Sequence, residues 1–132
     1  MYQEAAVIFN DSFDRCSNDP AFLDRFYECF LSCSEEVREK FSGTDMKAQK
    51  DVLLISLSYM MMAQQNPEIL LKTAQKHNVN NRNIPPHLYS YWLDSMVKAV
   101  QITDARFDAS VEKAWRTILE PGVNYMIDHY NK

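Results

Sequence analysis

LLKTAQKHNV, residues 70–79, is the stretch on which the reading of this chain turns. Pro67 opens a short helix ahead of it, with Asn66 placed to cap that helix. Leu70 and Leu71 lie one turn before Ala74, so the three form one apolar stripe. His77 follows at i+3 from Ala74 and i+7 from Leu70, and therefore projects from the same stripe. The polar run NVNNRN comes next and ends the helix at or near His77. A histidine so placed is either a core residue whose ring nitrogens are satisfied by backbone or a metal ligand. Spacing alone leaves both open.

The rest of the chain narrows the choice. Its 132 residues make one domain, 1–132, with room for one sizeable core. Hydrophobic residues are 46% of the chain and glycines only two, Gly43 and Gly122. So few turn glycines disfavour a β-sandwich or barrel and suit long helices. The formal charge is −4 with no basic tract, which speaks against a nucleic-acid surface. No apolar run is long enough for a membrane span, and MYQEAAVIF lacks the basic start of a secretory signal. Cys16, Cys29 and Cys33 are an odd count. Cys29 and Cys33 stand at i,i+4, near the upper distance limit for a disulfide. With no zinc-type spacing either, three free thiols in a reducing cytoplasm are expected.

In chain order, residues 3–17 read as a first helix with Ala6, Phe9, Phe13 and Cys16 near one face. Asp19-Pro20 restarts the chain into a helix over 20–33 whose wide apolar face includes Phe22, Phe26, Tyr27 and Phe30. Tyr27 is either a core tyrosine bonded to a carbonyl or a hydroxyl aimed into a cavity. Ser34 caps a short third helix ending at Phe41, and Thr44 or Asp45 caps a long one over 45–65. That helix carries Met46, Val52, Leu53, Ile55, Ser56, Leu57, Met60 and Met61 as its apolar positions. Gln49 lies one turn before Leu53, so it is either at the edge of the stripe or a donor pointing into a cavity. The loop from Asn78 to Asn83 is polar and expected to be mobile. Pro85-Pro86 starts a helix over 86–102 with Leu88, Tyr89, Trp92, Leu93, Met96 and Val100 inside. The last helix, 108–130, holds Trp115 in its core and must kink or break at Pro121. No period-two strand pattern occurs.

FY, VREKF, DMKAQKDVL, AQKH, PPHLYSYWL and VEKAW thus follow one another in an all-helical chain. In that order and spacing the sequence resembles a bacterial globin, from about Ala5 to Tyr130. It is most similar to the small single-domain globin-like proteins and to the haem domain of flavohaemoglobins. The resemblance implies an all-α globin fold of about seven to eight helices around one haem pocket. It implies a b-type haem as cofactor, His77 as the proximal ligand of its iron, and Phe41 packed on its face. It also implies Leu53 over the ring and Tyr89 against the proximal side. Tyr27 and Gln49 match the residues that face a bound gas, and Trp115 a packing tryptophan. Both donors suit O2, which becomes a partial anion on binding.

Two departures follow from the same likeness. Flavohaemoglobins carry a glutamate late in the last helix that bonds a tyrosine and pushes charge onto the proximal histidine. Here that place falls near Tyr130, and the nearest acid is Asp128, which implies a weaker push. The loop Asn78–Ile84 is longer by about two residues, which leaves Lys76, Arg82 and His87 only as candidate propionate partners. His87 and His129 are expected to be exposed.

The function expected is reversible binding of O2, or of CO or NO, at a five-coordinate haem, by a monomer or homodimer. An NO dioxygenase or peroxidase-like activity with a separate reductase is the alternative, since the chain contains no flavin fold. A haem-free globin-like signalling module stands third.

Overall fold

The computed structural model describes residues 2–132. The helices are α1 (Tyr2–Ser17), α2 (Phe22–Cys33), α3 (Glu35–Lys40), α4 (Met46–Met62), α5 (Leu71–His77), α6 (Leu88–Thr103) and α7 (Ala109–Asp128). A single 3-10 turn, Pro67–Leu70, leads into α5. No strand occurs among the described residues, and no helix is long and apolar enough to cross a membrane.

Short polar side chains set several of the helix starts. Ser34 Oγ accepts from the N–H of Val37, Asp45 Oδ1 from those of Lys47 and Ala48, and Asp108 Oδ1 from that of Val111. Each such cap contributes about 1 kcal/mol. Two expected starts differ. Asp19 accepts from the N–H of Ala21 in a turn, and α2 begins only at Phe22, because Pro20 and Ala21 complete that turn first. Asn66 makes no side-chain cap, as a 3-10 turn rather than an α-helix follows it.

The core is built from two broad contacts, α2 against α6 and α1 against α7. α7 also meets α4, α5, α6 and the 3-10 turn, so it is the element most others share. Trp115 of α7 is fully buried, its ring 4.5 Å from that of Phe9 and 6.1 Å from that of Phe22. Its indole N–H donates to Ser12 Oγ at 2.9 Å, and Ser12 Oγ donates to Asp104 Oδ2 at 2.6 Å. Arg15 reaches the same carboxylate through Nε and Nη2, and the Arg106 N–H through backbone. Burial alone would raise the pKa of Asp104, but these donors outweigh it and hold the group at about 2.

α7 continues through Pro121 without interruption, so of the kink or break expected there the break does not occur. Proline has no N–H, so the Thr117 carbonyl loses only its one helical partner there. Gly122 comes next and lies against α4 and the 3-10 turn. A Cβ on it would stand 2.9 Å from Met60 Cε and 3.2 Å from Leu70 Cδ1.

The segment after α5 is tied down, not the free loop that its composition suggested. Asn78 is buried, and its Oδ1 accepts from the Asn80 N–H and from Asn81 Nδ2. Its carbonyl accepts from Asn83, whose positive φ of 53° asparagine tolerates. Tyr130 clasps the loop from the other end of the chain. Its carbonyl accepts from the Val79 N–H, and its hydroxyl donates to Asn83 Oδ1.

Other expectations shift in detail. On α4, Leu53, Leu57 and Met60 face the core, but Val52 and Ile55 are exposed. Leu71 is exposed as well, leaving Leu70 and Ala74 as the buried stripe before His77. His87 is exposed beside Glu36 Oε1 at 2.6 Å, whereas His129 is half-buried and stacked on Tyr125. All three cysteines are free, and burial pushes the Cys16 thiol up to about 12.

Candidate functional site

A cavity of about 310 Å3 opens among α2, α4, α5, α6 and α7, a size at which small-molecule sites begin. It brings together all six residues singled out from the sequence. Tyr27 enters from α2, Phe41 from the end of α3, Gln49 and Leu53 from α4, His77 from α5 and Tyr89 from α6. Phe30, Trp92, Val123 and Met126 complete an apolar wall. α2 supplies its aromatics because Phe26, Tyr27 and Phe30 share one face. The Tyr27 ring meets Phe26 at 4.8 Å and Phe41 at 5.7 Å, both edge-on. These contacts fix the phenol in a low-energy packing.

His77 stands at the last position of α5, where Nδ1 lies 2.7 Å from the Thr73 carbonyl one turn back. That carbonyl can only accept, so Nδ1 carries the proton and Nε2 keeps its lone pair. Nε2 has no protein hydrogen-bond partner among the described residues. Burial lowers the pKa of the ring, opposed by the Thr73 bond and assisted by the charges of Arg82 and Lys76, which favours neutral imidazole. Among the described residues, no other histidine, no carboxylate and no cysteine lines the cavity.

Two phenols share the site. Burial pushes the Tyr27 hydroxyl up to about 12, partly offset by hydrogen bonding from the neighbouring Gln49 side chain. Burial also raises Tyr89, and its hydroxyl is the one buried side-chain polar atom without a hydrogen-bond partner among the described residues. Such an orphan costs about 1–3 kcal/mol in a filled core. Asp128 is exposed, and no carboxylate among the described residues bonds the Tyr89 hydroxyl.

Lys40, Lys76 and Arg82 border the cavity, and none of the three is in an ion pair among the described residues. His87 does not border it, being occupied with Glu36. Sequence reasoning missed Lys40. The available signal was its place next to Phe41, at the C-terminal end of a short helix that aims both at one opening.

A neutral imidazole with a free Nε2 can hold a metal, but the lining offers it no further ionic ligand. A metal at this place must therefore bring its other ligands with it, as a porphyrin does. The apolar wall, the lone imidazole and the cations at the rim fit that group.

No protein-family model matches the chain, and no curated protein sequence does. Among solved structures, the backbone is similar to the crystal structure of a protein from Pseudomonas aeruginosa PAO1, described as structurally highly homologous to a human hemoglobin. The two share 32% sequence identity over 97% of this chain and 99% of the other, with a TM-score of 0.94. A likeness of that extent, at that identity, is one of family as well as of fold: the chain belongs to the same globin-like family as the Pseudomonas protein.

Proposed function

We propose that the chain holds one haem b in this cavity and uses it to bind O2, or another diatomic gas, reversibly. The observation that carries the reading is the half-engaged ring of His77. Its Nδ1 is bonded to the Thr73 carbonyl, and its Nε2 is left as a lone pair in an apolar cavity that no other histidine lines. The chain contains no CxxCH, so attachment is non-covalent.

Haem, when bound, would supply an iron able to hold a small gas, and His77 is the residue that would hold that iron. The Thr73 carbonyl orients the His77 ring and makes its Nε2 more basic. Phe41, Leu53 and the Val123–Met126 wall keep water out. Lys40, Lys76 and Arg82 offer charge-assisted bonds to the two carboxylates of the haem edge. Tyr27 Oη and the Gln49 amide are the donors available to a polar gas.

The test is His77→Gly, loaded with haem, reduced and exposed to CO, with and without added imidazole. Loss of the absorption spectrum of the parent and its return with imidazole are expected. A variant that keeps the parent spectrum unaided would remove His77 from the role.

A further inference from the structure

The outer face of α4 is apolar in a pattern that solvent does not explain. Val52, Ile55, Tyr59 and Met62 are 56%, 58%, 42% and 46% exposed, and Ala48 is exposed as well. Their spacing, 48-52-55-59-62, alternates four and three residues over two heptads. That is the seam by which one helix packs on another with knobs in holes. Leu53, Leu57 and Met60 already meet the core from the other side, so α4 is apolar on two faces with only one covered. Contiguous exposed apolar surface of this kind marks an interaction site.

We propose that this seam joins two copies of the chain, antiparallel, with the two-fold axis at Ile55. Side-chain size selects the orientation. The seam is small at its start, with Ala48 and Val52, and large at its end, with Tyr59 and Met62. A two-fold axis at Ile55 sets Ala48 level with Met62 of the partner subunit and brings Val52 within one residue of the level of Tyr59 of the partner subunit. Parallel packing would instead pair small with small and large with large, leaving a gap at one end and a clash at the other.

Charge agrees. No charged side chain lies in the seam, and Asp51 beside it meets Ser58 of the partner subunit rather than a like charge. Lys47 comes to the C-terminal turn of the partner's α4, a turn without a basic residue of its own, where carbonyls favour a cation. An isologous contact of this kind closes at two copies. Two heptads are short, so the dimer is weak.

The contact also reaches the cavity. Val52 and Ser56 belong to its rim, so Tyr59 of the partner subunit, seated on Val52, completes the wall that a lone copy leaves open. The dimer itself rests on α4 alone and stands whatever the cavity holds.

Sedimentation velocity from low to high micromolar concentration tests it on the full chain. Wild type should shift to a dimer, and Ile55→Asp should weaken association at least tenfold with unchanged helical circular dichroism. Disulfide trapping fixes the orientation, in a Cys29→Ser, Cys33→Ser background. Ile55→Cys should link to itself and Val52→Cys should not. A wild type that stays monomeric, a dimer indifferent to Ile55→Asp, or self-linking of Val52→Cys would each overturn the proposal.

Discussion

If the cavity holds haem as proposed, Tyr27 and Gln49 are the residues that would tell one diatomic gas from another. O2 draws charge onto itself when bound, whereas CO gains little at its outer atom. A donor aimed at the guest therefore holds O2 by about 1.5–3 kcal/mol more than CO. In the haem-loaded protein, Tyr27→Phe should speed O2 release about ten- to a hundredfold and CO release far less. Stopped-flow release of both gases measures this. Equal rates for mutant and parent would make the tyrosine a packing residue only. Individual residues were legible where a side chain contradicted its surroundings. Gln49 was polar one turn before a core leucine, and His77 was polar on an apolar stripe. Lys40 contradicted nothing, because a lysine at the end of a short helix is unremarkable, and only the fold gives it a cavity to border. The free state of Nε2 was not legible either, since it depends on which nitrogen the Thr73 carbonyl engages.

Helices were legible when only one face was apolar. α1 and α2 fall within two residues of their expected bounds because their stripes are single and their ends are marked by Asp19-Pro20 and Ser34. α4 was not, because apolar residues surround it and periodicity cannot say which face is inside. Val52 and Ile55 therefore stood among its apolar positions with no face assigned, and both are exposed. Pro121 left a kink and a break both open for a related reason, and the helix does not break. One lost hydrogen bond is a local cost, and the packing of α7 on its neighbours outweighs it. The contact of α7 with α4 depends on Gly122. Gly122→Ala gains up to about 1 kcal/mol of helix propensity and loses a similar amount to crowding. The atom that yields is the flexible end of Met60, which borders the cavity. The thermal midpoint should then stay within a few degrees of the parent while haem affinity falls. Calorimetry and haem titration check the pair. A large loss of stability with unchanged affinity would show that the helix backbone moves instead.

Across the whole molecule, Asp104 joins parts of the chain that no local pattern connects. Ser12 and Arg15 come from α1, Arg106 from the turn before α7, and Trp115 enters through Ser12. The hint in the sequence was Ser12 itself, a hydroxyl one turn from Phe9 and Cys16 on a buried face, but its partner lies 92 residues away. The carboxylate has a folded pKa of about 2 against 3.8 unfolded. The unfolded chain thus takes up the proton first as pH falls. The stability that Asp104 contributes is full above about 3.8, declines below it, and is gone below about 2, a total of about 2 kcal/mol. Urea unfolding across that window should show this loss in the parent and a flatter profile in Asp104→Asn, which starts from a lower stability. Finally, the rim of Lys40, Lys76 and Arg82 belongs to a chain whose formal charge is −4. An anionic guest approaching from afar meets repulsion, and attraction only once it is within a few ångströms of the opening. Dissolved salt screens the far field before the near one, since its reach at 0.1 M is about 10 Å. The rate of capture is thereby governed by the ions of the medium as much as by the cavity: dilute buffer slows encounter, moderate salt removes the barrier, and concentrated salt weakens the final pull.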